Sequence, residues 1–216
     1  MNSEVNSDLV IVKVGHGNDA KQFRFPKALL CSRSTWFRTA FQGARFSEGA
    51  TNIVHLPEDC PRTFEAFQFF IFEQDLVFVD LNEKQTGLEE ELDLCFKIWI
   101  LGDKYLMPGL QNCVMQRICS ILIWRHNESS ETIDIPRSTL ALAFDRTQRK
   151  SALRTIAVDY ILNCVLNGGK SVEEFDDLSI FDGYACELFE TQRLYNSAKV
   201  AEFPRYQQPL EHGEMQ

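Results

Sequence analysis

Seven cysteines, four histidines and the carboxylate run Glu89-Glu90-Glu91 with Asp93 are the residues of this chain whose types could do chemistry. Their spacing argues against it. A structural zinc site draws on short paired spacings, yet there is no Cys-x-x-Cys and no His-x-x-x-His, and His16, His55, His126 and His212 stand apart from the cysteines. A cysteine nucleophile needs a base and a defined turn around it, and no cysteine sits in a glycine-rich elbow. Gly15-His16-Gly17 could be taken for a phosphate loop, but it lacks the third glycine and the Lys-Ser/Thr pair, and a strand rather than a helix follows it. The Glu89–Glu91 run reads as the solvated start of a helix, where the dipole favours acids. Cys95, Cys113 and Cys119 fall on or beside apolar helix faces, where a cysteine acts as a small hydrophobe. The expectation is a chain with no catalytic residues, no metal and no cofactor. A cysteine-dependent enzyme is kept as the competing reading, to be tested by thiol reactivity.

The elements that would hold such residues can be read from pattern. Leu9–Val14 is a β-branched run, and in Lys21–Phe25 the apolar Phe23 and Phe25 alternate with polar neighbours; the Gly/Asn/Asp loop between them makes a hairpin. Pro26 ends it. Ala28, Leu29 and Leu30 give one apolar helical turn, Ser32 and Ser34 offer N-caps, and Trp36, Phe37, Ala40 and Phe41 form a second helix. Residues 42–51 read as a loop and Ile53–Leu56 as a third strand. A helix opening at Pro61 carries Phe64, Phe67, Phe70 and Ile71, and a polar connection follows from Asp80 to Gly87. The next helix, from Glu89, buries Leu92, Cys95, Phe96 and Trp99 and stops before Pro108. Pro108 starts another, with Leu110, Val114, Ile118, Ile121 and Leu122 in register. Further helices are expected at about 138–147, 151–166 and 182–197, packed against the helix that starts at Pro108. Phe175, Phe181, Tyr184, Phe189 and Tyr195 are assigned to core rather than to a partner groove.

Composition sets outer limits. The chain has 216 residues, 22 Lys+Arg against 31 Asp+Glu, a formal charge of −9 and 44% hydrophobic residues. These values describe an ordinary globular chain with one main domain and an extension. An acidic chain lacks the basic stripe that displaces counterions from nucleic acid. Its densest basic cluster, Arg146, Arg149, Lys150 and Arg154, reads as a solvated helix face. No apolar run approaches the ~18 residues of a membrane span. With no apolar leader the chain is expected inside the cell, in the cytoplasm, the nucleus or both, with its cysteines reduced.

The order of elements over residues 8–125 resembles the BTB/POZ family. Asp8-Leu9-Val10 is similar to the opening of its first core strand. The run from Phe23 through Pro26-Lys27-Ala28-Leu29-Leu30 to Ser34 and Phe37 is similar to its "F-x-V-H-K-A-L-L-x-x-x-S-x-x-F" stretch. Thr63-Phe64-Glu65-Ala66-Phe67 resembles the start of its third helix, and Leu101-Gly102-Asp103-Lys104-Tyr105 with Leu110 its "A-D-K-Y-x-x-x-x-L" segment. Two departures stand out: Pro26 replaces the usual His, and Phe72-Glu73-Gln74 the usual Tyr-x-Gly. Local phrases and the helical extension look most like the single-domain BTB proteins of filamentous fungi. The resemblance implies an α+β fold, a small β-sheet capped by a helical bundle, with an all-α extension. The expected organisation is a short tail at 1–7, a BTB/POZ domain at 8–125, a helical extension at 126–200 and a flexible tail at 201–216.

For function, the resemblance implies a protein–protein interaction module. A subset of the family recruits the cullin scaffold of a RING ubiquitin ligase through a hydrophobic-x-Glu motif between the second helix and the third strand. Phe46-Ser47-Glu48 fits that motif, and Tyr105 matches a tyrosine that lines the same surface. The expected partner-binding residues are therefore Phe46, Glu48 and Tyr105, with an unknown substrate protein on the C-terminal helices. The alternative is a self-associating or transcription-linked scaffold with no ligase role. Only seven residues precede Asp8, too few for the extra helix and strand of swapped family members, so a strand-swapped homodimer is not expected.

Overall fold

The computed structural model describes residues 9–42, 47–74, 86–128 and 134–198. The expected tails at 1–7 and 201–216, most of the polar connection after Asp80 and residues 129–133 at the expected domain boundary lie outside them.

Alternation in the first two runs becomes a sheet with one dry face. Strand β1 (Leu9–Val14) buries Val10, Val12 and Val14 completely, and β2 (Lys21–Pro26) buries Phe23 and Phe25. The two pair antiparallel with Val12 opposite Phe23 and Val10 opposite Phe25. Strand β3 (Ile53–Leu56) joins the other side of β1 in parallel, placing Val54 beside Val12, so the order is β2-β1-β3. The hairpin turn needs Gly15: it has φ +80°, and a Cβ there would meet the Pro61 ring at 3.1 Å.

Four helical pieces follow, three of which bury side chains in the core. Helix α1 (Lys27–Arg33) leads into α2 (Thr35–Phe41), whose N-cap Ser34 accepts from the Phe37 amide at 3.1 Å. Residues Ser47–Thr51 form a single-turn helix, α3, where a loop was expected; the Thr51 hydroxyl closes that turn onto the Ser47 carbonyl at 2.9 Å. Helix α4 (Pro61–Glu73) has Pro61 at its start and turns Phe64, Phe67, Phe70 and Ile71 inward as its spacing predicts.

Two long antiparallel helices complete this part. Helix α5 (Thr86–Lys104) begins three residues before the expected start and takes in Gly87, which the sequence reads as part of the polar connection. Helix α6 (Pro108–Glu128) runs on through residue 125 without a break. Between them lies a buried charge: Glu91 on α5 accepts from Arg117 on α6 at 2.5 Å, and its side chain is 1% exposed.

The extension consists of α7 (Arg137–Arg146), α8 (Ala152–Leu166), a 3-10 helix (Val172–Ile180) and α9 (Tyr184–Ala198). Its three α-helices follow the sequence reading within about two residues. The 3-10 helix was not anticipated, although its Ser171/Glu174 capping box is a legible start signal. The extension docks chiefly through α7 on α5, not on α6 as expected, and the Thr139 hydroxyl donates to Asp93 at 2.7 Å across that junction. One further expectation is corrected. Arg146, Arg149 and Lys150 are exposed, but Arg154 is buried, because α8 turns that face towards α9 and Glu187 meets it there.

Candidate functional site

The α2–β3 connection and the end of α5 hold the residues singled out above, and they differ in placement. Phe46 lies outside the described residues. Glu48 sits in the first turn of α3, half-buried, with its carboxylate accepting from the Ser47 hydroxyl at 3.1 Å. Its main chain is fixed from behind: the Glu48 carbonyl accepts from the Asn52 amide at 2.8 Å. Asn52 adopts φ +55° to turn the chain into β3, and its side chain accepts from Lys27 at 2.9 Å. Helix α3 packs against both α2 and β3. A one-turn helix would not persist alone, so these contacts to its neighbours are what hold Glu48 in place.

Tyr105 is not on a surface. Its side chain is 0% exposed, with ring centroids 5.0 Å from those of both Trp36 and Phe37 and about 6 Å from Phe64 and Phe67. The hydroxyl donates to the Asp59 carboxylate, whose other oxygen takes Lys104 at 2.8 Å. Burial, reinforced by that hydrogen bond to a carboxylate, pushes the phenol well above its ordinary pKa, so it is a neutral donor. The Tyr105 carbonyl accepts from the Ser34 hydroxyl at 2.7 Å, the same hydroxyl that caps α2. Tyr105 thus ties the end of α5 to the start of α2 through its carbonyl and to the turn before α4 through its hydroxyl.

The expectation of a surface tyrosine fails for a packing reason. The aromatic ring is the natural filler between α2 and α4, and Asp59, which is 46 residues away in sequence, satisfies its hydroxyl. What Tyr105 exposes is its neighbours. Lys104 is exposed, and Leu106 is 55% exposed with φ +53°. A leucine in the left-handed region, at a cost of about 1–2 kcal/mol, with its side chain in water, was not readable from the sequence, because it depends on how α5 terminates.

The cysteines divide by environment. Cys95 is fully buried, and desolvation raises its pKa far above the ordinary thiol value. Cys60 is exposed at the N-cap of α4, beside a cleft of about 480 Å³ that also involves Thr63, Asp93, Lys97 and Thr139. Partial burial raises the Cys60 pKa, but the Thr63 and Arg62 amides, the Thr63 hydroxyl and Lys97 outweigh it, and the net shift is downward. A thiol-reactive probe under native conditions is expected to label Cys60 rapidly and Cys95 only on unfolding, followed by mass spectrometry; Cys60→Ser should remove the fast phase. Equal rates at Cys60 and at Cys186, which is also exposed, would show that the helix start does not activate Cys60. The described lining of that cleft contains no histidine, and among the described residues no group of three His, Cys, Asp or Glu could hold a metal ion.

A family model described as the BTB/POZ domain matches residues 1–120. No curated protein matches the chain.

Proposed function

The chain belongs to the BTB/POZ family, and from that premise we propose that it is a substrate adaptor of a cullin-RING ubiquitin ligase, working in the cytoplasm, the nucleus or both. The domain itself is a protein–protein interaction module on a non-catalytic scaffolding fold. Docking is assigned to Phe46 and Glu48 on the α2–β3 connection. Tyr105 acts from within, by holding α2 and the exposed Leu106 in place rather than by touching the partner. The C-terminal helices hold the substrate.

The observation that carries this reading is Glu48. A hydrophobic-x-Glu motif is a three-residue pattern and weak by itself. Here its carboxylate stands in the first turn of α3, on the connection where the family's cullin-recruiting members carry the motif, with the main chain pinned through Asn52. A pre-positioned carboxylate loses little entropy on binding and can accept a charge-assisted hydrogen bond worth about 1.5–3 kcal/mol. An aromatic anchor beside it contributes roughly 2 kcal/mol or more when it fills a pocket.

Calorimetric titration with the N-terminal domain of the matching cullin tests the reading. Submicromolar binding is expected for the wild type, with at least a tenfold loss for Phe46→Ala and for Glu48→Lys, at unchanged melting temperatures. Absence of wild-type binding would leave a BTB scaffold without a ligase role, self-associating or transcription-linked.

A further inference from the structure

The extension carries an acidic and apolar face away from the residues assigned to cullin docking. Between Ser171 and Gln192 the chain has seven carboxylates and no basic residue. A 3-10 helix eclipses residues three apart, so the segment Val172–Ile180 sorts its side chains into ridges. Phe175 and Leu178 face inward and are buried, while Glu173 and Asp176 share one outward ridge and Glu174, Asp177 and Ile180 the other. Ile180 is 80% exposed. The chain then turns at Gly183 into α9, where Tyr184 and Glu187 face the core and Phe189 points away, 68% exposed. These are the two most exposed large apolar side chains among the described residues. Leu194, 44% exposed, extends the outer side of the helix.

The charges are only partly neutralised. Asp177 pairs with Arg137, Asp182 lies 4.0 Å from Arg149, Glu190 lies 3.6 Å from Lys150, and Glu187 is taken by Arg154. Glu173, Glu174 and Asp176 are exposed and form no ion pair among the described residues; Glu174 caps the Ser171 amide. Among the described residues, Arg193 is the one exposed cation of the outer face of α9. Large apolar side chains in water beside uncompensated carboxylates make a surface that attracts a particular chemistry. It offers apolar anchors, and its field steers cations towards them.

We propose that this face, Val172–Ile180 with the outer side of α9, docks a basic amphipathic segment of a partner protein, one with apolar anchors at helical spacing flanked by Lys or Arg. The proposal rests on the reading of the C-terminal helices as the partner-holding part of the adaptor, and it names the class of segment they hold. Apolar contact at Ile180 and Phe189 supplies affinity, and the carboxylate ridges supply selectivity against acidic segments.

The test uses the full-length protein and a fluorescein-labelled peptide with leucines at i, i+3, i+4 and i+7 and lysines between, read by anisotropy. Its counterpart replaces every lysine with glutamate. The expected result is saturable binding of the lysine peptide and none of the glutamate peptide. Ile180→Ser combined with Phe189→Ser should weaken binding at least about tenfold, and Glu173→Lys combined with Asp176→Lys should weaken it further, both at unchanged melting temperature. No binding by the wild type overturns the proposal, as does equal binding by the serine variant, which would mark a diffuse attraction to an acidic protein. A concentration-dependent dimer lost in the serine variant would make a second copy the occupant and overturn it. So would peptide binding that appears only after residues 199–216 are removed, which would assign the face to the chain's own C-terminus. Cullin titration of the same serine variant separates the two readings. If the serine variant still docks the cullin domain through Glu48, the two surfaces are separate; if the wild type docks the cullin domain but binds no peptide, only the present proposal falls.

Discussion

Tyr105→Ala is expected to cost about 3–5 kcal/mol of stability, the range for emptying a core site of a large aromatic. The ring is fully buried among Trp36, Phe37, Phe64 and Phe67, and no rearrangement of so many other rings could refill its volume. Tyr105→Phe isolates the second contribution. It keeps the ring but leaves the Asp59 carboxylate, 9% exposed, with Lys104 and without the phenol, a loss of about 1–3 kcal/mol. Urea unfolding of wild type, Tyr105→Phe and Tyr105→Ala gives both numbers. The same proteins decide what Tyr105 does for binding. If it positions α2 and Leu106 and touches nothing outside, Tyr105→Phe binds the cullin domain as the wild type does. A tenfold loss of affinity with intact stability would instead mean that the hydroxyl reaches the partner, and the buried placement would not hold in the complex.

The hairpin, the third strand and the helices at 61–73 and 108–128 were legible because each answers to a local rule: alternation for Val10, Val12 and Val14, helical spacing for Phe64, Phe67 and Ile71, and a proline at each helix start. The family was legible for a related reason, since phrases such as Lys27-Ala28-Leu29-Leu30 and Asp103-Lys104-Tyr105 join local pattern to fixed order. What escaped the sequence depends on distant partners. Ser47–Thr51 is one turn long, too short to show a period, and is held by contacts to α2 and β3. Phe189 was assigned to the core along with Phe175 and Tyr184; those two are buried and it is exposed, because which side of α9 faces α8 is settled by Glu187 meeting Arg154. Tyr105 carried the right family signature but its surface placement was misread, since Asp59 is invisible from position 105. Of the site, the sequence supplied the residue types, and the fold decided which of them could be reached from outside.

Arg154→Met is the second substitution with a large expected effect, and it acts on the extension. Arg154 is 4% exposed and donates to Glu187 at 3.1 Å, to the Asp182 carbonyl at 2.9 Å and to the Phe144 carbonyl at 2.5 Å, with its guanidinium 5.4 Å from the centre of the Phe144 ring. Glu187 also accepts from the Lys150 amide at 3.2 Å. One side chain therefore joins α7, α8, the turn before α9 and α9 itself. Removing it strands a carboxylate that is 8% exposed, and the expected cost is about 3–5 kcal/mol, most of it the penalty of an unpaired buried charge. The double variant Arg154→Met/Glu187→Leu removes both charges and is expected to recover a large part of that loss, which a purely steric account of Arg154 does not predict. Hydrogen exchange shows where the loss falls. If the pair fixes the orientation of α9, Arg154→Met should deprotect the amides of α9 and the 3-10 helix while those of β1 and α4 stay protected, and the double variant should restore them. A cost below about 1 kcal/mol, the level of an exposed ion pair, would mean that Glu187 reaches water when Arg154 is gone and that α9 is held by its apolar contacts alone.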